Sequence, residues 1–155
     1  MKRIGFVLLA VCMAFNILSG CSAAKPVAYD LAALSEQVGQ SGAFTDFLSP
    51  VTETIAATFY GFEETEVTES DVRLSTGATT EEIALFKCAD ETAAAKLKAN
   101  AETRVETQRS IYESYAPGEM PKLDDAIVVR NGLYVFYIVS ADAAKVRTVL
   151  DGYGK

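Results

Sequence analysis

The stretch that decides the fold is residues 126–140, which read AIVVRNGLYVFYIVS. Asn131-Gly132 in its middle predicts a β-hairpin, because a two-residue type I′ turn requires positive φ at both central positions. With this turn Val129 lies opposite Tyr134, and the alternation of side chains defines two faces. One face carries Ile127, Val129, Tyr134, Phe136 and Ile138, and the other carries Val128, Leu133, Val135, Tyr137 and Val139.

Both faces of this predicted hairpin are apolar, which limits where it can lie. Such a strand pair is either central in a sheet that helices cover on both faces, or it presents one face to a ligand or partner. We expect coverage on both faces, because large apolar side chains are usually buried.

Helix and strand signals continue on both sides of the hairpin. Asp90 is the expected N-cap of a long helix that ends at Pro117-Gly118, and Ser140 is the expected N-cap of a last helix that runs to Gly152. Residues 72–88 alternate like a second hairpin with its turn around Gly77.

Two short helices are predicted before the first of these strands. Asp30 caps a helix that carries Leu31, Leu34 and Val38 on one face. Ser49-Pro50 is the expected start of a second helix, with Val51, Ile55 and Phe59 on its inner face and Gly61 at its end. The acidic residues between 63 and 71 lack the spacing of a calcium loop and are expected to form a solvated connector.

This order predicts the fold class. It is α+β, with an antiparallel sheet of about four strands made by two ββα units, in two layers or sandwiched between helices, and preceded by two short helices. Residues 29–155 are expected to form a single domain, and their number suffices for one hydrophobic core. The two ββα units share no motif, so the chain has no predicted repeat.

The N-terminus predicts export and lipidation. Lys2 and Arg3 precede an apolar run, residues 4–18, that is too short to span a bilayer comfortably. Leu18-Ser19-Gly20-Cys21 resembles the lipobox of bacterial lipoprotein precursors. We therefore expect residues 1–20 to be a signal peptide, Cys21 to carry a diacylglycerol, and residues 21–28 to link the domain to the extracytoplasmic face of the cell membrane. An ordinary cleaved signal or an anchor helix is the alternative.

Net charge and cysteine content limit the kinds of binding partner and the disulfides that are expected. Cleavage before Cys21 leaves 12 of the 14 basic residues beside all 21 acidic ones, a formal charge of −9. This charge argues against nucleic acid as a partner and against flat binding to anionic lipid, so the membrane contact is expected through Cys21 alone. Because Cys12 leaves with the signal and Cys21 is acylated, Cys88 has no disulfide partner within the chain.

The residue types argue against an enzyme. The chain has no histidine, which removes the commonest general base and zinc ligand. Cys88 is a possible nucleophile, but a half-buried structural thiol is the simpler interpretation. Glu81-Glu82 and Asp124-Asp125 are assigned to surface and turn positions, because neighbouring strand residues point to opposite faces. No phosphate loop or metal-spaced cluster is present, so neither cofactor nor metal is expected.

The candidate partner-binding residues lie in one segment after the long helix. Tyr112, Tyr115, Pro117, Met120 and Pro121 make a rigid amphipathic segment of the kind used for protein contact. The alternative is that the tyrosines close the helix end against the sheet. The first functional hypothesis is therefore a non-enzymatic interaction module that binds a protein or another component of the cell envelope with this segment or with a face of the sheet. The second is a small-molecule-binding lipoprotein with a pocket between sheet and helices, lined by Tyr134 and Phe136.

Several short motifs carry a resemblance to a known family. They are Glu82-Ile83-Ala84 with Phe86-Lys87, Tyr115-Ala116-Pro117, Pro121-Lys122-Leu123, and Gly132 followed by Tyr134-Val135. Together they resemble the uncharacterised family known as domain of unknown function 4358. The resemblance implies a small secreted lipoprotein of a Gram-positive bacterium, and it implies no particular chemistry.

Overall fold

The computed structural model describes residues 27–153, and the predicted signal peptide and Cys21 lie outside this range. The strands are β1 Ser49–Pro50, β2 Val67–Leu74, β3 Glu82–Cys88, β4 Ile127–Asn131 and β5 Tyr134–Val139. The α-helices are α1 Leu31–Gly39, α2 Glu53–Tyr60, α3 Glu91–Tyr115, α4 Met120–Asp124 and α5 Ala143–Gly152, and a 3₁₀ turn spans Pro117–Glu119. Within the described range, no helix is long and apolar enough to cross a membrane.

The strands form one antiparallel sheet in the order β1-β2-β3-β5-β4. Helices α2, α3 and α4 pack on one face, and α1 and α5 pack on the other. The α+β class is therefore confirmed, and the sheet is sandwiched rather than two-layered. It has five strands instead of about four, and α4 is an additional helix between the two predicted ββα units.

The central strands β3 and β5 are buried on both faces, which confirms the expected coverage of the apolar hairpin. Phe86 and Tyr137 point toward α2 and α3, whereas Phe136 and Ile138 point toward α1 and α5. Burial of one such side chain stabilises the fold by about 1.5–3 kcal/mol. Alternate residues of these strands therefore contribute to two hydrophobic clusters, one on each face of the sheet.

The β4–β5 turn differs from the prediction by two residues in register. Asn131 pairs with Tyr134, so Gly132-Leu133 form the loop. Gly132 has φ 59°, and no non-glycine residue of the described chain has positive φ, which fits a type II′ turn and not type I′. Asn131 stays in the strand because its side-chain amide donates to the Tyr29 hydroxyl at 2.6 Å. A shift of two residues leaves the face assignments unchanged.

The predicted start of the second helix at Ser49-Pro50 is wrong. These residues are the edge strand β1 and pair with Leu74 and Arg73, while Thr52 caps the helix. Proline is tolerated there because an edge strand needs no outward N–H. Helix α2 consequently buries Ala56 and Tyr60, and the predicted inner residues Ile55 and Phe59 face solvent.

The start of β2 and the start of α5 also differ from the boundaries predicted from the sequence. Strand β2 begins at Val67, so the second half of the acidic run belongs to the sheet and not to a connector. Asp142 caps α5 by accepting a hydrogen bond from the Lys145 N–H at 3.2 Å, whereas Ser140 is buried in the strand end. The predicted caps Asp30 and Asp90 are confirmed, since each side chain accepts from the N–H three residues on.

Candidate functional site

The sandwich has two ends, and the described chain starts at one of them. Tyr29 packs edge-to-face against Tyr134, with ring centroids 4.9 Å apart, and its hydroxyl accepts a hydrogen bond from Asn131. The β4–β5 turn and Tyr29 define what we term the proximal end. The loops 41–48, 75–81 and 116–122 define the distal end.

The strands and α3 fix these two ends at opposite sides of the domain. Strand β3 begins beside the distal loops and finishes at Cys88, whose N–H donates to the Leu133 carbonyl at 2.8 Å in the proximal turn. Helix α3 has 25 residues, and at 1.5 Å per residue it spans about 37 Å. It starts at the proximal end and finishes at Tyr115, so the distal loops are a full domain length from the chain's entry.

A buried carboxylate joins the distal loops. The Glu81 side chain has no exposed surface; it accepts hydrogen bonds from the N–H groups of Thr45 and Asp46 at 2.9 and 2.8 Å. The Lys122 ammonium lies 3.0 Å from the same carboxylate. Burial alone raises the pKa of Glu81, but the hydrogen bonds from Thr45, Asp46 and Lys122 outweigh it and hold the pKa below its usual value.

Two more acids complete this distal network. Glu119 pairs with Lys122 at 3.0 Å and accepts from the Thr80 N–H at 2.9 Å. Asp46 accepts from the Thr76 hydroxyl at 2.9 Å, and this hydrogen bond is the main reason why the pKa of Asp46 is lowered. Each of the three loops is thereby bonded to another, so the distal surface is held in a defined shape.

The five predicted partner-binding residues separate into two groups. Tyr112 is buried, and its hydroxyl lies 3.0 and 2.9 Å from the carbonyls of Gly77 and Thr79, which is the helix-closing role. Met120 packs against the core. Tyr115 is 71% exposed, and Pro117 and Pro121 are exposed beside it.

One exposed aromatic residue of the distal end was missed by sequence reasoning. Phe47 is 74% exposed in the loop before β1. Its sequence signal is an aromatic side chain in a loop bounded by Gly42 and Pro50. The prediction of a helix start at Ser49 assigned no binding role to this loop. Phe47 and Tyr115 are the most exposed large apolar residues of the described chain.

The two pairs of neighbouring carboxylates lie in different surroundings. Glu81 and Glu82 point to opposite faces as expected, but both are buried, so their assignment to the surface is wrong. Glu82 accepts from Arg104 at 2.7 Å and from the Tyr60 hydroxyl at 2.7 Å. Burial raises the pKa of Glu82 against the effect of Arg104. Asp124 and Asp125 are exposed, and Asp124 pairs with Arg109 at 2.7 Å.

Cys88 lacks the surroundings of a reactive thiol. It is buried, and burial raises its pKa to about 11, so the thiolate is scarce at neutral pH. In residues 27–153 no group of three or more acidic, cysteine or histidine side chains is arranged to hold a metal ion.

Hollows between sheet and helices bear on the small-molecule hypothesis. Phe136 lines a hollow of about 280 Å³ between β4 and α5, and Tyr29 lines it too, while Tyr134 packs against Tyr29 instead. Another hollow, of about 530 Å³, lies between α1 and the sheet, and its lining includes Gly39, Phe47 and Ile83. The latter is within the size range of ligand pockets.

The described chain is thus a sandwiched α+β domain with a distal end whose three loops are joined by hydrogen bonds and ion pairs. Residues 40–140 match the family model described as "Domain of unknown function (DUF4358)", and the chain belongs to this family. The match includes all five strands and α2, α3 and α4, and it leaves out α1 and α5. No curated protein and no solved structure matches the chain.

Proposed function

We propose that the chain is a small bacterial lipoprotein, anchored through a diacylglycerol on Cys21 to the extracytoplasmic face of the cell membrane. It acts as a non-enzymatic interaction module of the cell envelope and contacts a partner protein with its distal end. The observation that carries the proposal is the position of the exposed Phe47 and Tyr115 at the end opposite to Tyr29.

The geometry of the tether supports this orientation. Residues 22–28 reach about 23 Å at most when extended, at roughly 3.3 Å per residue. They lead directly to Tyr29, which is packed at the proximal end. A domain attached in this way turns its proximal end to the bilayer and its distal end away from it.

The distal surface has the properties of a contact site. Aromatic side chains such as Phe47 and Tyr115 contribute large apolar areas to interfaces. The network around Glu81 and Lys122 orders the loops before any partner arrives, which lowers the entropy lost on binding. The partner is expected to be a protein of the same envelope compartment.

Site-specific photo-cross-linking in living cells tests the partner contact. A photoreactive amino acid replaces Phe47 or Tyr115, and the control replaces Thr148, which is exposed on α5. We expect both distal positions to give an adduct with the same envelope protein, and Thr148 to give none. Equal adducts from Thr148, or no adduct from either distal position, would contradict the proposal.

The anchor is tested separately with Cys21→Ser. We expect the wild-type chain to incorporate radiolabelled palmitate and to sediment with membranes, and the variant to lose the label. Retention of the label by Cys21→Ser would show that Cys21 is not the acceptor, while leaving the cross-linking result to stand alone.

A second function is favoured by the hollow of about 530 Å³ between α1 and the sheet. A side chain at Gly39 would enter it, because a Cβ there lies 4.0 Å from Ile83 Cδ1 without a clash. In a thermal-shift screen of small molecules, a ligand of this hollow should stabilise the wild-type chain and not Gly39→Leu. Gly152→Leu is the matched control, since Gly152 also ends a helix and borders open space. Hits that stabilise all three chains equally count against this function.

A further inference from the structure

The hollow of about 530 Å³ between α1 and the sheet has an apolar wall. The completely buried Ile83 and the partly buried Phe44 and Leu48 contribute to this wall. Phe47, from the loop before β1, lines the hollow as well and is largely exposed. A ligand of this hollow therefore needs an apolar part that packs against these side chains.

The positive charge in the lining is offset by the protein itself. Among the described lining residues, Arg73 is the one that carries a positive charge. It donates to the Asp71 carboxylate from Nε at 2.9 Å and from Nη2 at 3.2 Å. Ser35, which is buried in α1, donates to the same carboxylate at 2.6 Å and helps to fix it. The Arg73 charge is thereby paired before any ligand arrives.

Two carboxylates of the lining, in contrast, have only neutral partners. Glu36 accepts a hydrogen bond from the Gln40 amide at 2.9 Å, and Asp46 accepts one from the Thr76 hydroxyl at 2.9 Å. Among residues 27–153, neither carboxylate takes part in an ion pair. Neutral donors leave the negative charge in place, so both carboxylates contribute it to the hollow.

The lysines beside the hollow do not change this balance. Two of them contact the loop 41–48, which supplies part of the lining. Lys122 lies 3.0 Å from Glu81 and 3.0 Å from Glu119, so two acids share it. Lys145 lies 3.2 Å from Asp142. Each lysine is therefore matched or outnumbered by its own acidic partners.

The ligand that complements this hollow is positively charged. Arg73 stands against Asp71, Glu36 and Asp46, which gives one basic and three acidic side chains and a formal charge of 1 − 3 = −2. A cation beside a phenylalanine ring is attracted further, because the face of the ring is negative. A carboxylate or phosphate ligand would instead be repelled by the two carboxylates that lack a cationic partner.

We propose that this hollow binds a small organic cation, with its ammonium group toward Glu36 and Asp46 and its apolar part against Phe44, Leu48 and Ile83. The inference rests on the second function proposed above and names the chemical class of its ligand. The occupant is a free small molecule, because the hollow has the volume of a whole ligand and one lysine side chain of a partner protein would fill only a small part of it.

Three probes of similar shape and different charge test the inference. Phenethylamine, phenethyl alcohol and phenylacetate are titrated at neutral pH into the full lipidated chain in detergent micelles, by calorimetry and by thermal shift. Gly39→Leu in the same micelles corrects for partition of the probes into detergent. We expect the amine to bind at least about fivefold more tightly than the alcohol, and phenylacetate not to bind.

A charge-removing variant locates the ammonium group. Glu36→Gln should bind the amine about fivefold more weakly and the alcohol unchanged. Glu113→Gln is the matched control, since Glu113 is exposed on α3 and does not line the hollow, and it should bind both probes like the wild-type chain. Added salt should weaken binding of the amine and leave that of the alcohol unchanged.

The inference is overturned if the amine and the alcohol bind equally, if phenylacetate binds best, or if the amine does not bind. Equal stabilisation by amine and alcohol that Gly39→Leu abolishes would leave the second function standing without its cationic ligand. If the amine does not bind and the Phe47 cross-link maps to a basic residue of the partner protein, the hollow takes a side chain of that protein, which overturns the inference as well.

Discussion

The charged Glu81 side chain is fully buried. Its hydrogen bonds and its ion pair offset the free energy lost when the carboxylate is removed from water. It accepts from Thr45 and Asp46 and pairs with Lys122. A buried charge that keeps its partners is stable, but the loss of one partner leaves the others uncompensated. Glu81 therefore joins the three distal loops, and the bonds of Asp46, Tyr112 and Glu119 connect them further.

Replacement of this residue should destabilise the domain. We expect Glu81→Gln to lower the free energy of unfolding by about 3 kcal/mol, because it leaves Lys122 beside a neutral amide and loses charge-assisted hydrogen bonds. Asp125→Asn, at an exposed position, should change it by less than about 0.5 kcal/mol. Urea unfolding of the three chains measures both values, and equal stability of all three would contradict this role of Glu81.

Glu81 also gives the stability a defined pH dependence. Its pKa in the folded chain is lower than its ordinary value of 4.5, so the unfolded chain binds the proton first as the pH falls. Its contribution is fully present above pH 4.5 and is lost as the pH drops through the lower folded pKa. Unfolding followed from pH 7 to pH 3 should show a shallower acid decline for Glu81→Gln than for the wild-type chain. A parallel decline would show that other acids dominate.

Cys88 should be inert in the folded chain. Burial raises its pKa to about 11, so a disulfide reagent at pH 8 meets almost no accessible thiolate. We expect no labelling at Cys88 under native conditions and rapid labelling in urea, with Cys88→Ala as the blank. Rapid native labelling would restore the nucleophile hypothesis.

At the scale of elements, helix α5 shows how one side chain sets a boundary. Asp142 caps it, and Ser140, two residues earlier, is buried with a hydroxyl that has no hydrogen-bond partner in the described chain. Ser140 is excluded from the cap because β5 extends up to Val139 and holds the next residue in the sheet layer.

The two residues should therefore respond differently to alanine. Asp142→Ala is expected to lower the free energy of unfolding by about 1 kcal/mol through loss of the cap. Ser140→Ala should leave it unchanged or raise it, because it removes a buried unpaired hydroxyl. Thermal unfolding compares them, and a larger loss for Ser140→Ala would reinstate the cap that the sequence predicts.

At the scale of the whole molecule, the two ends of the sandwich have different roles in the proposal. The proximal end receives the chain at Tyr29, and α3 carries the backbone about 37 Å to Tyr115. If Cys21 carries the proposed lipid anchor, we expect the proximal end to face the bilayer and the distal end to face the envelope space.

Fluorescence energy transfer to acceptor lipids measures this orientation in reconstituted vesicles. Ala89→Cys places a dye on the proximal side, and Tyr115→Cys places it at the distal end, while the buried Cys88 should stay unlabelled. We expect strong transfer to lipid acceptors from position 89 and weak transfer from position 115. Equal transfer from both positions would indicate a domain that lies on its side.

The sequence alone determined the features that depend on local periodicity and local hydrogen bonds. Alternation along residues 127–139 assigned each side chain to its face. The assignment is correct although the hairpin register differs by two residues, because a shift by an even number keeps every side chain on the same face. The caps at Asp30 and Asp90 were also readable, since each cap bonds to an N–H only three residues away.

Only the tertiary structure decided the features that depend on residues far apart in the chain. Ser49-Pro50 forms a strand because its backbone pairs with β2. Phe47 lies in the loop before this strand and is exposed. Asn131 left the turn for a bond to Tyr29, 102 residues away. Glu81 and Glu82 were buried by partners that include Thr45 and Arg104. A sequence pattern indicates the conformation that residues close together in the chain favour. The distal end, in contrast, is made by contacts between residues far apart in the chain, and these contacts exist only once the sheet has formed.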